Sequence, residues 1–291
     1  MSDIRTFASQ IPFWIQVTRL DRPVGWIVLL WPTWIALTIA GFFAGQFQLD
    51  TWIIFTLGVI ITRSAGCVIN DLTDRKFDKH VKRTKTRPIT TGNLPVKDAV
   101  VLAVVLLLVA FGLVLQTNSK TIYLSFVALG LAVLYPWLKR ITFWPQIGLG
   151  LAFSMAIPMA FTAYDQPLNH IVWFLFAGNV AWTLAYDTFY AMVDRDDDLL
   201  SGVKSTAIAF GRFDLVAIGC CQAIALSAFT YAFWLAKLNP LSIFGVIGAI
   251  GFAVQHQWIA KSRTREACFR AFLENHRFGA ALFIGALLGG L

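Results

Sequence analysis

Residues 52–88 read WIIFTLGVIITRSAGCVINDLTDRKFDKHVKRTKTRP. The first part, 52–70, is almost wholly apolar, and a bilayer-crossing helix needs about 20 such residues. Asn70, Asp71, Asp74 and Asp78 then follow as N-D-x-x-D-x-x-x-D, ahead of a run of lysine and arginine. At helical spacing these four share one face, within about 100° of arc, and Arg63 falls on it too. A row of carboxylates repels itself and sits badly at a helix C-terminus, where the dipole is negative. A divalent cation would offset it. Oxygen donors without histidine or cysteine favour Mg²⁺ over zinc. Taken alone, the stretch also reads as a solvated acidic helix end beside a solvated basic loop.

The rest of the chain supports a membrane setting. Only 14% of residues are charged and 57% are hydrophobic, against about a quarter charged in soluble domains. Mean hydropathy is +0.67. A soluble core cannot absorb that much apolar surface, so the class is polytopic membrane protein. The net charge of +8 sits in short loops beside apolar runs, which reads as membrane orientation and not as nucleic-acid binding. Cys67, Cys220, Cys221 and Cys268 show no disulfide or metal spacing, and no histidine pair has ligand spacing. The stretch FASQIPFWIQVTRL, 7–20, is amphipathic and suits the membrane surface.

Nine spans are expected, near 24–44, 52–70, 98–116, 121–138, 143–163, 170–190, 213–236, 240–256 and 268–290. The connections alternate. Segments 1–23, 71–97, 139–142, 191–212 and 257–267 are basic, and those between them are short and poor in cations. The positive-inside rule places the basic set and the N-terminus in the cytoplasm and the C-terminus outside. The cations not assigned to the cytoplasmic side are Lys120 and Lys237 in outer loops and Arg63 inside the second span, where a charge is costly and faces the bundle interior or a water-filled cavity.

The sixth span ends in YDTFYAMVDRDDDLLSGVKST, 186–206. Asp187, Tyr190, Asp194 and Asp198 share one helical face, and Asp196 points the opposite way. DRKFD, 74–78, matches DRDDD, 194–198, at an offset of 120 residues. Both motifs end a span running inward, and both precede a loop with basic and hydroxyl residues, Lys204, Ser205 and Thr206 in the second. The chain therefore reads as one membrane domain over 1–291. It has two parallel repeat-like halves, about 24–138 and 143–256, and a ninth helix at about 268–290. Two acidic rows facing each other at the cytoplasmic end make a cage for Mg²⁺, and such metals bind phosphate oxygens. Surrounding Lys and Arg would take the remaining phosphate charge.

GCVINDLTDRKFDKHVKRTKTRPI, YPWLKRITFWPQIGLG and AYDTFYAMVDRDDDLLSGVKSTAIAFG resemble the UbiA prenyltransferase superfamily over nearly the whole chain. DRPVGW and KRITFWPQ resemble its branch acting on 4-hydroxybenzoate in ubiquinone biosynthesis. The resemblance implies an all-α integral membrane bundle of nine transmembrane helices around a central cavity open to lipid. It implies Mg²⁺, a polyprenyl diphosphate donor, and alkylation of 4-hydroxybenzoate at C3. A bacterial inner-membrane location goes with it. Residue by residue, it implies that Asn70, Asp74, Asp78, Asp194 and Asp198 serve the metal–diphosphate site, with Asp71 in the same motif. Asp187, on the second acidic face, joins this metal set. Tyr135 and Lys139 would contact diphosphate, and Arg140 would meet the acceptor carboxylate. Arg22 and Arg63 are the other arginines for that carboxylate. Lys204 is a further phosphate candidate, and so are Arg75, Lys82, Arg83 and Arg212. Asp194 is the candidate base for the ring proton. Trp31, Phe153 and Tyr190 are candidates to stabilise an allylic cation through their ring faces. Loop 79–97, with Pro88, Gly92 and Pro95, is a candidate lid.

Two readings from other classes compete. A secondary transporter shares intramembrane charge, repeats and Pro-broken helices such as AFSMAIPMAF, but its site belongs nearer the midplane. A phospholipid alcohol phosphotransferase needs a different aspartate–glycine pattern. Within the superfamily, a branch with another aromatic acceptor is a third possibility.

Overall fold

The structure is a computed structural model that describes residues 11–76, 78–81 and 83–290, the side chain of His80 excepted. All regular structure among them is helical. Residues 11–18 form α1. Next come α2 (Val24–Ala44), α3 (Leu49–Asp74), a 3-10 turn (Asp78–His80), the short α4 (Pro88–Thr91), α5 (Val96–Val114) and α6 (Ser119–Ile141). The second half holds α7 (Pro145–Ser154), α8 (Ala156–Ala163), α9 (His170–Ser201), α10 (Thr206–Phe210), α11 (Asp214–Leu235), α12 (Ile243–Ile259) and α13 (Arg265–Gly289).

Among the described residues, seven helical segments are long and apolar enough to cross a membrane. These are Val24–Ala44, Leu49–Asp74, Val96–Val114, Ser119–Ile141, Pro145–Ala163, Thr206–Leu235 and Pro240–Ser262. The long helices α9 and α13 lie where the sixth and ninth spans are expected but carry more charge. DRDDD closes α9, and Arg265, Glu266, Arg270, Glu274 and Arg277 lie along α13.

The fifth span is broken into α7 and α8 at Met155. Pro158 explains the break, because it has no N–H for the Ser154 carbonyl four residues earlier and its ring crowds that carbonyl. The core joins α2, α8, α9, α11, α12 and α13 through Ile35, Phe161, Trp182, Phe229, Ala249 and Phe278. By contrast, α5 and α6 bury few residues, Ala99, Ala103 and Val114 in one, Thr121 and Pro136 in the other. Their exposed Val, Leu and Phe side chains suit lipid. Glycine sets the closest approach, between α12 and α13. A Cβ on Gly245 would collide with the Ala281 carbonyl oxygen and the Gly285 backbone, a small-residue seam of the kind that lets membrane helices meet.

Helix α1 covers part of the amphipathic stretch; 7–10 fall outside the described residues. It buries Val17 against Val68, Ile89 and Leu94 and exposes Ile11 and Ile15. One expectation changes at the first motif. Helix α3 stops at Asp74, and Asp78 opens the 3-10 turn instead of continuing the helical face. Asp71 and Asp74 sit in the last turn with no basic residue there, against the dipole. The second motif does the reverse. Helix α9 runs through DRDDD to Ser201 and ends at Gly202 in the left-handed region, φ 72°, where glycine carries no Cβ penalty.

Candidate active site

One cavity of about 840 Å³ opens among the helices. The end of α3 supplies Asn70, Asp71 and Asp74 to its wall, the following turn supplies Asp78, and α9 supplies Asp187, Tyr190, Asp194 and Asp198. From α6 come Tyr135 and Lys139, and Lys204 comes from the α9–α10 connection. Period-3.6 spacing brings Tyr135 and Lys139, one turn apart, to the same side of α6. The cavity continues along apolar residues of α3, α5 and α6, including Phe55, Val59, Phe111, Ala128 and Leu129. One end is thus charged and the rest is greasy.

Each acidic row is met by a cation from another element. The Lys139 ammonium pairs with Asp74. Arg83 donates through Nε to both Asp194 oxygens, at 3.0 and 3.1 Å, and through Nη2 at 2.5 Å. Its Nη1 donates to the Tyr190 hydroxyl at 2.5 Å, and the guanidinium lies 4.5 Å from that ring's centroid. Arg87 bridges Asp71 and Asp78, at 2.8 and 2.9 Å. Arg19 adds two bonds to Asp71, at 3.0 and 2.8 Å. Pairing of this kind is what makes buried carboxylates tolerable. Asp71 is 1% exposed, and its partners tie α1 and the basic loop to α3. Burial raises the Asp78 carboxyl above its ordinary range, and Arg87 opposes the shift. Burial works against the charges on Arg83 and Arg87. Tyr190 and Asp194 outweigh it at Arg83, Asp71 and Asp78 at Arg87, so both stay above their ordinary values.

The donor set suits a hard divalent cation in kind. Asn70, Asp74, Asp78, Asp194 and Asp198 offer only amide and carboxylate oxygens to one cavity. Asp74 Oδ1 is buried with no hydrogen-bond partner, a free acceptor on its wall. Among the described residues, no three His, Cys, Asp or Glu side chains are grouped closely enough to hold an ion. The basic side chains stand between the carboxylates.

The arginine candidates separate. Arg63 lines the cavity from within α3. Its Nη1 lies 2.8 Å from Cys67 Sγ, its Nε is buried without a partner, and it sits 5.8 Å from the Phe153 ring centroid. Among the described residues it forms no ion pair with a carboxylate. Arg22 lines the mouth and lies 3.6 Å from Asp21, with its side chain 70% exposed. Arg140 is not on the cavity wall. Its Nη2 donates to the Thr73 carbonyl at 3.0 Å, and its guanidinium lies 4.6 Å from the Trp137 ring centroid. Lys204 Nζ reaches the Ile141 carbonyl at 3.1 Å. Phe153 and Tyr190 line the cavity, whereas Trp31 packs beside Trp34 and Phe283 in the core. Arg19 and Arg87 were not singled out by spacing. The basic run beside the first motif was the available signal for Arg87, and none pointed to Arg19.

The UbiA prenyltransferase family matches residues 29–285. A 4-hydroxybenzoate octaprenyltransferase from Tolumonas auensis is 49% identical over 277 residues, 95% of this chain and 96% of its own. One from Vibrio atlanticus is 48% identical over 276 residues, 95% of this chain and 96% of its own. The apo structure of a UbiA homologue from Aeropyrum pernix superposes with a TM-score of 0.78 at 22% identity, over 89% of this chain and 97% of that one. A UbiA homologue from Archaeoglobus fulgidus bound to GPP and Mg²⁺ superposes with a TM-score of 0.70 at 18% identity, over 94% of this chain and 99% of that one. These last two likenesses speak for the fold. With the family pattern running through most of its length, and relatives near half identical almost end to end, the chain belongs to the UbiA prenyltransferase family.

Proposed function

We propose that this protein transfers a polyprenyl group from polyprenyl diphosphate to C3 of 4-hydroxybenzoate, releasing diphosphate, as a step of ubiquinone biosynthesis. One observation carries the reading: both acidic motifs and their cationic partners converge on the charged end of a cavity that continues as an apolar groove. That is the shape of a molecule with a diphosphate head and a hydrocarbon tail. The relatives' names support the acceptor, and the GPP- and Mg²⁺-bound neighbour supports the donor and metal.

In this reading Asn70, Asp74, Asp78, Asp194 and Asp198 would hold Mg²⁺, with Asp187 near them. Mg²⁺, when bound, supplies charge neutralisation to the diphosphate leaving group. Lys139, Arg83 and Lys204 would hold phosphate oxygens, and Tyr135 would donate its hydroxyl. Asp71 then serves to anchor Arg19 and Arg87. The allylic C–O bond breaks, and the electron pair leaves on diphosphate. The allylic carbon binds C3 of the ring, and the C3 proton leaves to Asp194. Tyr190 and Phe153 present ring faces to the developing cation, worth roughly 0.5–2 kcal/mol each. Arg63 takes the acceptor carboxylate in place of Arg140, because it lines the cavity with a buried, partnerless Nε and forms no ion pair with a carboxylate among the described residues.

The membrane arrangement belongs to the same proposal. Helices α9 and α13 complete nine spans, their extra charge explained by the site and by the cytoplasmic edge. The two halves are parallel repeats. The protein sits in the bacterial inner membrane, with the N-terminus and active-site loops cytoplasmic and the C-terminus periplasmic.

The test is prenyl transfer by purified protein in lipid, given geranyl diphosphate and 4-hydroxybenzoate with Mg²⁺ or with EDTA. The expected result is a 3-prenylated product with Mg²⁺ and none with EDTA. A folded protein that binds diphosphate with Mg²⁺ yet makes no such product would remove the acceptor. One that binds no diphosphate would bring the transporter reading forward.

A further inference from the structure

The second acidic motif has two sides. Asp194 and Asp198 face the cavity. Arg195, about 100° further around α9, points away from it. Its Nη2 donates to Asp214 Oδ2 at 2.5 Å. Asp214 is the first residue of α11 and is 0% exposed. Its other oxygen, Oδ1, accepts from Arg263 Nε at 2.9 Å and from its neighbour's backbone, Leu215 N–H, at 2.6 Å. Arg263 stands in the α12–α13 connection at φ 54°, a left-handed conformation uncommon for a residue with a side chain. From there its Nη2 also donates to the Arg212 carbonyl at 3.1 Å. A second bridge lies alongside: Arg265, opening α13, holds both Asp197 oxygens at 2.9 and 3.1 Å.

One buried carboxylate thus joins three elements, and none of its partners touches the cavity. A buried ion pair is a weak source of net stability, and its best-attested use is to fix a register. The register in question is the rotation and height of the last turns of α9. Those turns carry Asp194 and Asp198.

We propose that Asp214 is a positioning residue for the metal–diphosphate site: through Arg195 it fixes the end of α9 so that Asp194 and Asp198 stand opposite the α3 motif. Arg263 fixes Asp214 in turn. This rests on the reading of Asp194 and Asp198 as metal–diphosphate residues. Outer partners that orient ligands typically change metal affinity by roughly 10–100-fold when removed.

The test measures Mn²⁺ binding by electron paramagnetic resonance on the purified full chain with inorganic diphosphate, beside Mg²⁺ titrations of prenyl transfer. Asp214→Asn should weaken Mn²⁺ binding about tenfold or more and raise the half-saturating Mg²⁺ by a similar factor. Acceptor KM should stay within about twofold, a change too small to reflect a lost contact. Asp214→Glu should recover part of the loss. Asn179→Ala, which removes the buried bond from Asn179 to Ser154, is the comparator for lost stability and should leave Mn²⁺ affinity unchanged. If Asp214→Asn does not fold, the pair Arg195→Gln with Asp214→Asn removes both charges and carries the same expectation. Unchanged Mn²⁺ affinity in the folded variant, or an equal loss in Asn179→Ala, overturns the proposal. A wild-type protein that binds no Mn²⁺ with diphosphate overturns the underlying reading, and this inference falls with it.

Discussion

Arg63 concentrates the specificity question in one side chain. A guanidinium on the cavity wall whose Nε is buried without a hydrogen-bond partner invites an anion, and its planar fork matches a carboxylate. Charge-assisted hydrogen bonds contribute about 1.5–3 kcal/mol, so Arg63→Ala should raise the KM for 4-hydroxybenzoate roughly 10–100-fold. The donor KM should hardly move, and Arg63→Lys should restore only part. Steady-state kinetics with each substrate varied in turn decides this. Equal increases for both substrates would assign Arg63 to the fold. The residue scale is also where the sequence spoke unevenly. That Asp74, Asp194 and Asp198 share one cavity wall could be read from carboxylates repeated at helical spacing beside apolar runs, and the 120-residue echo doubles the signal. The partners could not. Arg19 is 52 positions from Asp71 and meets it only through α1 packing on α3. Arg83 looked like one cation among many in a basic loop. Arg140 looked suitable by neighbourhood, but its side chain leaves the wall for Thr73 and Trp137.

Apolar length and flanking charge located the helices, and local chemistry then moved their ends. Helix α3 stops at Asp74, with two carboxylates in its last turn, whereas α9 runs a full motif beyond its apolar stretch before Gly202 ends it. Pro158 divided the fifth span, as AFSMAIPMAF foreshadowed. What hydropathy does not encode is which faces meet. The α12–α13 seam depends on Gly245 facing Gly285, while Gly251, six residues on, faces open space. Gly245→Ala should therefore destabilise by about 1–3 kcal/mol, the usual cost of overpacking, and Gly251→Ala should not. Thermal unfolding in detergent compares the two directly. A melting temperature unchanged by Gly245→Ala would mean that the seam can open without loss.

Across the whole molecule the cavity joins a charged end to an apolar run, which on the proposed function would take the leaving group and the tail. Ala128 lies two turns of α6 before Tyr135, about 10 Å along the axis, and both line the cavity. Ala128→Trp should leave geranyl diphosphate a working substrate and cut turnover of long polyprenyl donors, as read from product yields over a donor series. Equal loss for every donor would place the tail elsewhere. The bundle closes where α2 meets α13: the Trp31 and Phe283 rings are 5.6 Å apart, and Gly279 leaves room for Trp31 and Trp182. Gly279 leaves the ribosome about 250 residues after Trp31, a delay of roughly 12–50 s at 5–20 residues per second. Through that interval the first span waits in the membrane with the Trp31 side that meets Phe283 uncovered. Helix α13 is therefore the one that completes the first span, and a chain stalled before it would offer Trp31 to whatever surveys newly made membrane proteins, while Trp34 already rests on Thr56 and Trp52 of α3.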